Sequence, residues 1–213
     1  SSAKAPTWRR ATCHLQPDAV AGAWAGRPQW RVLQIGFGVG LPFLTAWQAW
    51  RDDAQRPRML HVVAIEAHPL TRDELRRAAG ATPGFSELAA RLAAQWHGLL
   101  PGFHRLSFDD GRVLLTLCIG DVQTMLRAQR FEADSIVLDG SGPEEPPALW
   151  SPDTLKAATR FARVGTRIAT STHAQGVRDT LAQNGFTMRT LAGRDGLEGE
   201  FAPAWTVRRR APA

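Results

Sequence analysis

The sequence predicts an α/β fold in which a doubly wound, mostly parallel sheet forms one domain. Short apolar runs recur along the chain as candidate buried strands, and stretches with helical spacing separate them. Three glycines at alternate positions follow the first apolar run, which is typical of a tight turn from a strand into a helix. With 213 residues, 44% of them hydrophobic, the chain is large enough for one domain with a substantial core.

The predicted elements alternate from residue 31 onward, after an irregular lead-in over residues 1–30. We assign residues 31–213 to a single domain. An Asp-Asp-Gly turn at residues 109–111 predicts a hairpin between two strands. Helices separate most of the other strands, as parallel connections require. Strands are predicted at residues 32–36, 60–66, 103–108, 112–119, 134–139, 163–170, 186–191 and 201–208.

Several predicted helices have a recognisable start. The first, over residues 41–54, has Pro42 in its first turn, where proline is tolerated. Thr71 and Glu74 form the capping box of a helix that runs to residue 79. Ser151 caps another helix. Further helices are predicted at residues 86–96, 122–130 and 172–184.

The composition limits the class of protein. No apolar stretch approaches the ~20 residues needed to span a membrane, so a cytoplasmic protein is expected. The two cysteines, Cys13 and Cys118, suggest neither a disulfide framework nor a zinc site. Cys118 lies in an apolar strand pattern, which favours a core thiol over a nucleophile. The histidines show no metal-ligand spacing, so no metal is expected.

The positive charge of the chain is carried almost entirely by arginine. Lys and Arg number 26 against 20 Asp and Glu, a formal net charge of +6. Arginine binds phosphate bidentately and stacks on bases, which suits an RNA partner. An arginine-rich genome composition would produce the same bias without any partner. The basic run at residues 208–210 is either a solvated tail or an RNA contact.

The glycine run is the first candidate site. Gly36, Gly38 and Gly40 follow an apolar strand and precede a helix. Because glycine has no Cβ, the backbone there can pass close to a ligand, and the helix offers free N–H groups at its start. The dinucleotide-binding fingerprint places its third glycine one residue later. The alternate spacing is what S-adenosylmethionine (SAM) methyltransferases usually show, and a tight connection without a ligand is the alternative.

Three acidic residues lie at or just beyond predicted strand ends, where open α/β sheets bind ligands. Glu66 is either a ribose-binding carboxylate, at the expected distance after the glycines, or a solvated strand-end acid. Asp121 accepts from an adenine amino group or caps the next helix, and the two roles are compatible. Asp139 is placed to orient or deprotonate an attacking amine, with a turn aspartate as the alternative. Trp150 borders a base pocket or packs in the core.

Four segments together resemble the methyltransferase domain of MnmC, a bacterial bifunctional enzyme of the tRNA wobble uridine that is also found in stand-alone form. The segments are residues 36–49, 66–71, 100–122 and 138–152. The resemblance implies a Rossmann-like SAM-dependent methyltransferase fold. It also implies SAM as cofactor and methyl transfer to the exocyclic amine of 5-aminomethyl-(2-thio)uridine in tRNA.

The resemblance assigns roles to individual residues. The catalytic residue would be Asp139. The cofactor would be held by Gly36, Phe37, Gly38, Gly40, Glu66 and Asp121. The substrate would contact Gly140, Ser141 and Trp150. The implied partners are tRNA and a separate flavin oxidoreductase that supplies the aminomethyl substrate, since nothing in the chain indicates a second dinucleotide-binding fold.

The chain departs from the family beside the presumed substrate pocket. After Asp-Gly the family usually carries Phe-Ala-Pro-x-Lys-Asn-Pro, whereas residues 141–147 are Ser-Gly-Pro-Glu-Glu-Pro-Pro. Before the first glycine, Gln34 and Ile35 replace the usual Glu-Thr. One alternative function is therefore a non-catalytic relative that binds RNA or protein. Another is a methyl- or aminopropyltransferase for a small amine, which Glu144 and Glu145 would attract.

Overall fold

The computed structural model describes residues 23–139, 147–190 and 196–205. In these ranges the chain forms eight strands, six α-helices and a 3-10 helix at Pro147–Trp150. The strands are β1 (Gln29–Ile35), β2 (Met59–Glu66), β3 (Gly102–Phe108), β4 (Val113–Ile119), β5 (Ala133–Leu138), β6 (Ala162–Thr170), β7 (Phe186–Thr190) and β8 (Leu197–Phe201). The helices are α1 (Leu41–Asp52), α2 (Arg72–Gly80), α3 (Ser86–Gln95), α4 (Val122–Ala128), α5 (Pro152–Thr159) and α6 (Gln175–Gln183).

All eight strands join one sheet in the order β3-β4-β2-β1-β5-β6-β8-β7. The five strands from β4 to β6 run parallel, and β3, β8 and β7 pair antiparallel at the two sides. From β1 the chain builds the sheet outward in one direction through β2 and β4 and in the other through β5 and β6. This confirms the doubly wound, mostly parallel prediction. The order reverses between β1 and β5, and ligands bind at such a reversal, beyond the carboxyl ends of the strands.

Hydrophobic clusters cover both faces of the sheet. Helices α1, α2 and α3 pack on one face and α4, α5 and α6 on the other. The central strands are therefore buried on both sides, which explains their continuous apolar runs. Trp47 and Trp50 of α1 are both buried in the first cluster, as their spacing predicts. Cys118 is buried in the second cluster, and burial raises the pKa of its thiol to about 11, so this residue is a core thiol.

The predicted capping box and the predicted hairpin turn are both present in the structure. Thr71 Oγ1 accepts from the Glu74 N–H, and the Glu74 carboxylate accepts from the Thr71 N–H, which completes the capping box of α2. Asp109 and Asp110 adopt φ of 49° and 57°, followed by Gly111 at 78°. These left-handed residues connect β3 to β4, so the predicted hairpin is confirmed.

The structure corrects two strand boundaries. β1 begins at Gln29, three residues before the predicted start, because it already pairs there with Met59 of β2. Trp24 and Trp30 are also buried in the core. The strand predicted at residues 201–208 is wrong: β8 ends at Phe201, and residues 202–205 lie outside any strand. Pro203 has no N–H to donate to a ladder, and residues 206–208 lie outside the described ranges.

Within the described ranges, no helix combines the length and apolar character needed to cross a membrane. The same ranges contain no group of three or more His, Cys, Asp or Glu side chains that could hold a metal ion.

His61 of β2 faces a polar strip of the sheet. Its Nε2 lies 2.9 Å from Thr116 Oγ1 of β4. Burial, together with the positive charges of Arg105 and Arg31, lowers the pKa of His61 from its usual 6.5 to about 4. The imidazole is therefore neutral in the folded protein at neutral pH.

This pKa predicts a loss of stability in acid. Below pH 6.5 the unfolded chain binds a proton at His61 that the folded protein does not accept until about pH 4. The free energy of unfolding should therefore fall as the pH drops from 6.5 to about 4. Chemical denaturation of wild type and His61→Gln across this range measures the effect. The variant should show the shallower dependence on pH, and equal slopes would contradict the assignment.

Candidate active site

The glycine turn occupies the carboxyl end of β1. Gly36, Gly38 and Gly40 all adopt positive φ, at 82°, 51° and 76°, a region that other residues rarely adopt. Gly40 is the N-cap of α1, and no side chain caps this helix start. The turn therefore leaves the first N–H groups of α1 without a side-chain acceptor, as an anion-binding helix start requires.

Gly36 is required because two backbones meet there. A Cβ added at Gly36 would overlap the carbonyl oxygen of Asp139. The N–H of Asp139 donates to the carbonyl of Ile35 at 3.0 Å, so the ends of β1 and β5 are hydrogen bonded. The candidate catalytic residue and the glycine turn are thus in direct backbone contact.

Glu66, at the end of β2, is directed at the glycine turn. Its Oε2 accepts from the N–H groups of Phe37 and Gly38, both at 3.0 Å. Its Oε1 accepts from the N–H of His68 at 2.9 Å. The side chain is half-buried and bonded to the turn, and its contact with a ribose stays a prediction. A carboxylate has about four lone-pair positions, so three N–H donors leave it able to accept from a ligand hydroxyl.

The side chain of Phe37 points into the core, so this residue contributes only its backbone to the glycine turn. Its ring is buried and stacks on Trp96, with centroids 5.2 Å apart and an interplanar angle of 19°. Trp96 Nε1 donates to the carbonyl of Leu70 at 2.8 Å. This pair anchors the glycine turn to the segments after β2 and α3. The sequence identifies Trp96 only as the end of a helix and gives no signal for the stacking.

Gln34 is a second supporting residue that the sequence identified only as a departure from the family. Its side chain is fully buried, and its Nε2 donates to the carbonyl of Gly36 at 3.1 Å. The amide thus bridges from β1 to the first glycine of the turn. It fixes the direction of that carbonyl.

Asp121 begins α4 just beyond the end of β4. Its Oδ2 accepts from the N–H and the hydroxyl of Thr124, both at 2.8 Å, so the helix-cap prediction is confirmed. These hydrogen bonds from Thr124 lower the pKa of Asp121 and keep it ionised. The N–H of Gly120 donates to the carbonyl of Glu66, which sets the two acidic residues on adjacent strand ends. A contact of Asp121 with adenine stays a prediction.

Asp139 directly follows β5 and is almost completely buried, at 7% exposure. Trp150 is partly buried and packs against the second hydrophobic cluster. Leu149, beside it in the 3-10 helix, would lie 3.8 Å from a Cβ on Gly36, so this helix borders the glycine turn. Gly140, Ser141 and the departures at residues 141–146 lie outside the described ranges. The substrate roles of Gly140, Ser141 and Trp150 stay predictions.

The residues fit a nucleoside that carries a ribose and a charged amino-acid group. The three glycines permit the positive φ values of the turn and give it no side chains at these positions. Glu66 provides acceptors at its edge, and the uncapped start of α1 provides donors. This is the chemistry that SAM presents.

The contact at Gly36 predicts an unusually costly substitution. Gly36→Ala adds strain at positive φ and also overlaps the Asp139 backbone. Gly84→Ala is a matched control because Gly84 has φ +88° with nothing within 4 Å of an added Cβ. We expect Gly84→Ala to cost about 1–2 kcal/mol and Gly36→Ala more than about 4 kcal/mol. Denaturant melts measure both, and equal losses would show that the two backbones are not in contact.

Comparison with protein families gives an independent result for the C-terminal part of the fold. The family model of an S-adenosyl-L-methionine-dependent methyltransferase matches residues 83–196. This range contains Asp121 and Asp139 but not the glycine turn or Glu66. The match therefore rests on residues other than those that indicated the cofactor cleft.

Curated relatives match nearly the whole chain. One is the tRNA 5-methylaminomethyl-2-thiouridine biosynthesis bifunctional protein MnmC of Polaromonas naphthalenivorans, 52% identical over 210 residues. The protein of the same name in Delftia acidovorans is 54% identical over 190 residues. The alignments cover 93% and 87% of this chain but 33% and 30% of the relatives. The chain thus spans about a third of the length of the curated relatives it matches.

Among solved structures, MNMC2 from Aquifex aeolicus superposes with a TM-score of 0.68 at 16% identity. The superposition covers 94% of this chain and 62% of that one, and it shows a shared fold. The family model covers more than half of the chain. The chain therefore belongs to the S-adenosyl-L-methionine-dependent methyltransferase family.

Proposed function

We propose that this protein methylates the exocyclic amine of 5-aminomethyl-(2-thio)uridine at the wobble position of tRNA. The observation that carries the proposal is the backbone contact of Gly36 with Asp139, a buried acidic residue, at the glycine turn. The names and the identity of the curated relatives support tRNA as the substrate.

The cofactor side of the site is formed by backbone and two carboxylates. When bound, SAM supplies an electrophilic methyl group on a sulfonium sulfur. Glu66 would accept from the ribose hydroxyls, and Asp121 would accept from the adenine amino group. The backbone of residues 36–40 would hold the remainder of the cofactor against the start of α1.

The substrate amine must be neutral before it can act as a nucleophile. Asp139 would orient the ammonium form or accept its proton, since its backbone lies at the end of β5 against the glycine turn. With SAM bound, the neutral nitrogen would take the methyl group, and the electrons of the broken carbon–sulfur bond would stay on sulfur in the thioether product. Asp139 would hold at most the one proton of the substrate ammonium, and a further proton from the methylated amine would pass to water. Most of the rate acceleration would come from positioning of the two reactants.

The proposed substrate implies contacts with the tRNA backbone and one further enzyme as a partner of this chain. Arginines would contact the tRNA phosphates, so binding should weaken as the salt concentration rises. The aminomethyl group must be produced by another reaction. The curated relatives are named bifunctional, and we infer that a flavin oxidoreductase supplies this amine, with the reaction taking place in the cytoplasm, where tRNA is found.

Substitution of Asp139 tests the proposal. Asp139→Ala should lower methyl incorporation from labelled SAM into tRNA with an unmethylated aminomethyl group by about 10²-fold or more, because an acid–base group typically contributes that much. The affinity for SAM, measured by calorimetry, should stay unchanged. Asp179→Ala, on the exposed side of α6, is the matched control and should retain full activity.

The outcomes separate the two parts of the proposal. Near-normal turnover in Asp139→Ala would refute the role of this carboxylate. A wild-type protein that binds SAM but leaves the tRNA unlabelled, and instead labels a polyamine in a parallel reaction, would refute the tRNA substrate.

A further inference from the structure

We propose that a pocket at the edge of the sheet opposite the glycine turn binds a backbone phosphate of tRNA, remote from the wobble base. This inference rests on the proposed tRNA substrate. We call this feature the arginine pocket. It has a volume of about 550 Å³, and the residues that define it are Gln29, Trp50, Arg56, Arg58, Met59 and Arg112.

The arginine pocket is separate from the active site. Gln29 and Met59 are the first residues of β1 and β2, and Arg112 directly precedes β4. The pocket therefore lies at the amino ends of these parallel strands, whereas the glycine turn and Glu66 lie at their carboxyl ends. The seven residues of β1 span about 23 Å at ~3.3 Å per residue. A ligand in this pocket would not touch the cofactor.

The described residues that line the arginine pocket carry positive charges and no negative one. In the described part of the chain, Arg56 and Arg58 form no ion pair, and Arg112 has only a 4.0 Å contact with the exposed Asp110. Asp53, on the loop before Arg56, lies outside the pocket lining, and its carboxylate accepts from the Trp24 indole and from the Gln55 N–H. An anion is therefore the ligand that this pocket favours.

Two of the guanidinium groups are held in place before any ligand arrives. The Arg56 and Arg112 guanidinium carbons lie 4.5 Å and 5.5 Å from the centroid of the Trp50 ring. Trp50 Nε1 donates to the carbonyl of Pro57 at 2.8 Å, and Arg56 donates to the carbonyl of Arg51 at 2.8 Å. Preorganised side chains lose less entropy on binding. The pocket is thus built for recognition rather than being a chance group of mobile arginines.

The chemistry of the arginine pocket favours phosphate. A guanidinium matches phosphate oxygens bidentately, which a lysine cannot do. A tRNA whose wobble base lies at the carboxyl edge need only extend over the length of β1 to reach this pocket. Free phosphate or pyrophosphate has the same chemistry and is the competing source of the anion.

Binding of tRNA to arginine variants tests the proposal. We expect Arg58→Gln, and more strongly Arg56→Gln/Arg58→Gln, to weaken binding of aminomethyl-containing tRNA in fluorescence anisotropy. Each lost phosphate contact should reduce the slope of log affinity against log salt by about 1. The KM for tRNA should rise with Kd, while kcat at saturating tRNA and the affinity for SAM stay unchanged. Arg58→Gln alone decides the matter if the double variant folds poorly.

A matched control and a second ligand make each result decisive. Arg189→Gln removes the same charge from β7, at the other side of the sheet and outside the pocket lining, and should leave tRNA binding unchanged. An equal loss in Arg189→Gln would show a general charge effect and overturn the proposal. Unchanged tRNA binding in Arg58→Gln would also overturn it. If calorimetry shows that Arg58→Gln weakens pyrophosphate binding while tRNA binding stays the same, the pocket binds a free anion, and the proposal is overturned. In these cases methylation of tRNA by the wild type would leave the proposed function intact.

Discussion

The rest of the site depends on the hydrogen bonds that the Glu66 carboxylate accepts. Three backbone N–H groups, from Phe37, Gly38 and His68, donate to its two oxygens and tie the end of β2 to the turn after β1. Charge-assisted bonds of this kind contribute about 1.5–3 kcal/mol each. The same carboxylate retains lone pairs for a ligand, so one side chain shapes the turn and also provides its acceptor.

The glycine turn and Asp139 are positioned by the same backbone. Phe37 is fixed by its stacking on Trp96, and Gln34 fixes the carbonyl of Gly36. Asp139 in turn lies against Gly36. Because these contacts are made by buried groups at the switch point of the sheet, a shift of the turn would also move Asp139. In the proposed mechanism, the backbone that would bind the cofactor would therefore also position Asp139 toward the amine.

Most of the sheet and the placement of Glu66 beside the glycine turn could be predicted from sequence because their signals are local. Strands buried on both faces appear as continuous apolar runs, and the glycine spacing and Glu66 lie within one strand–helix–strand unit. β8 was missed because Leu197–Phe201 contains a glycine and two glutamates and is held by its neighbours β6 and β7. The Phe37–Trp96 stacking and the arginine pocket join residues far apart in sequence, which no local pattern reveals.

The most direct test of this account is calorimetric titration of SAM into wild type and Glu66→Gln. Glutamine has nearly the same size as glutamate, but one acceptor oxygen becomes an NH₂ donor. That NH₂ group would face either the N–H groups of the turn or the ribose hydroxyls, in place of an oxygen that accepts from them. We expect the variant to fold, as judged by circular dichroism, and to bind SAM at least about 10-fold more weakly, a loss of about 1.4 kcal/mol. Equal affinity in the two proteins would contradict the central role of this carboxylate.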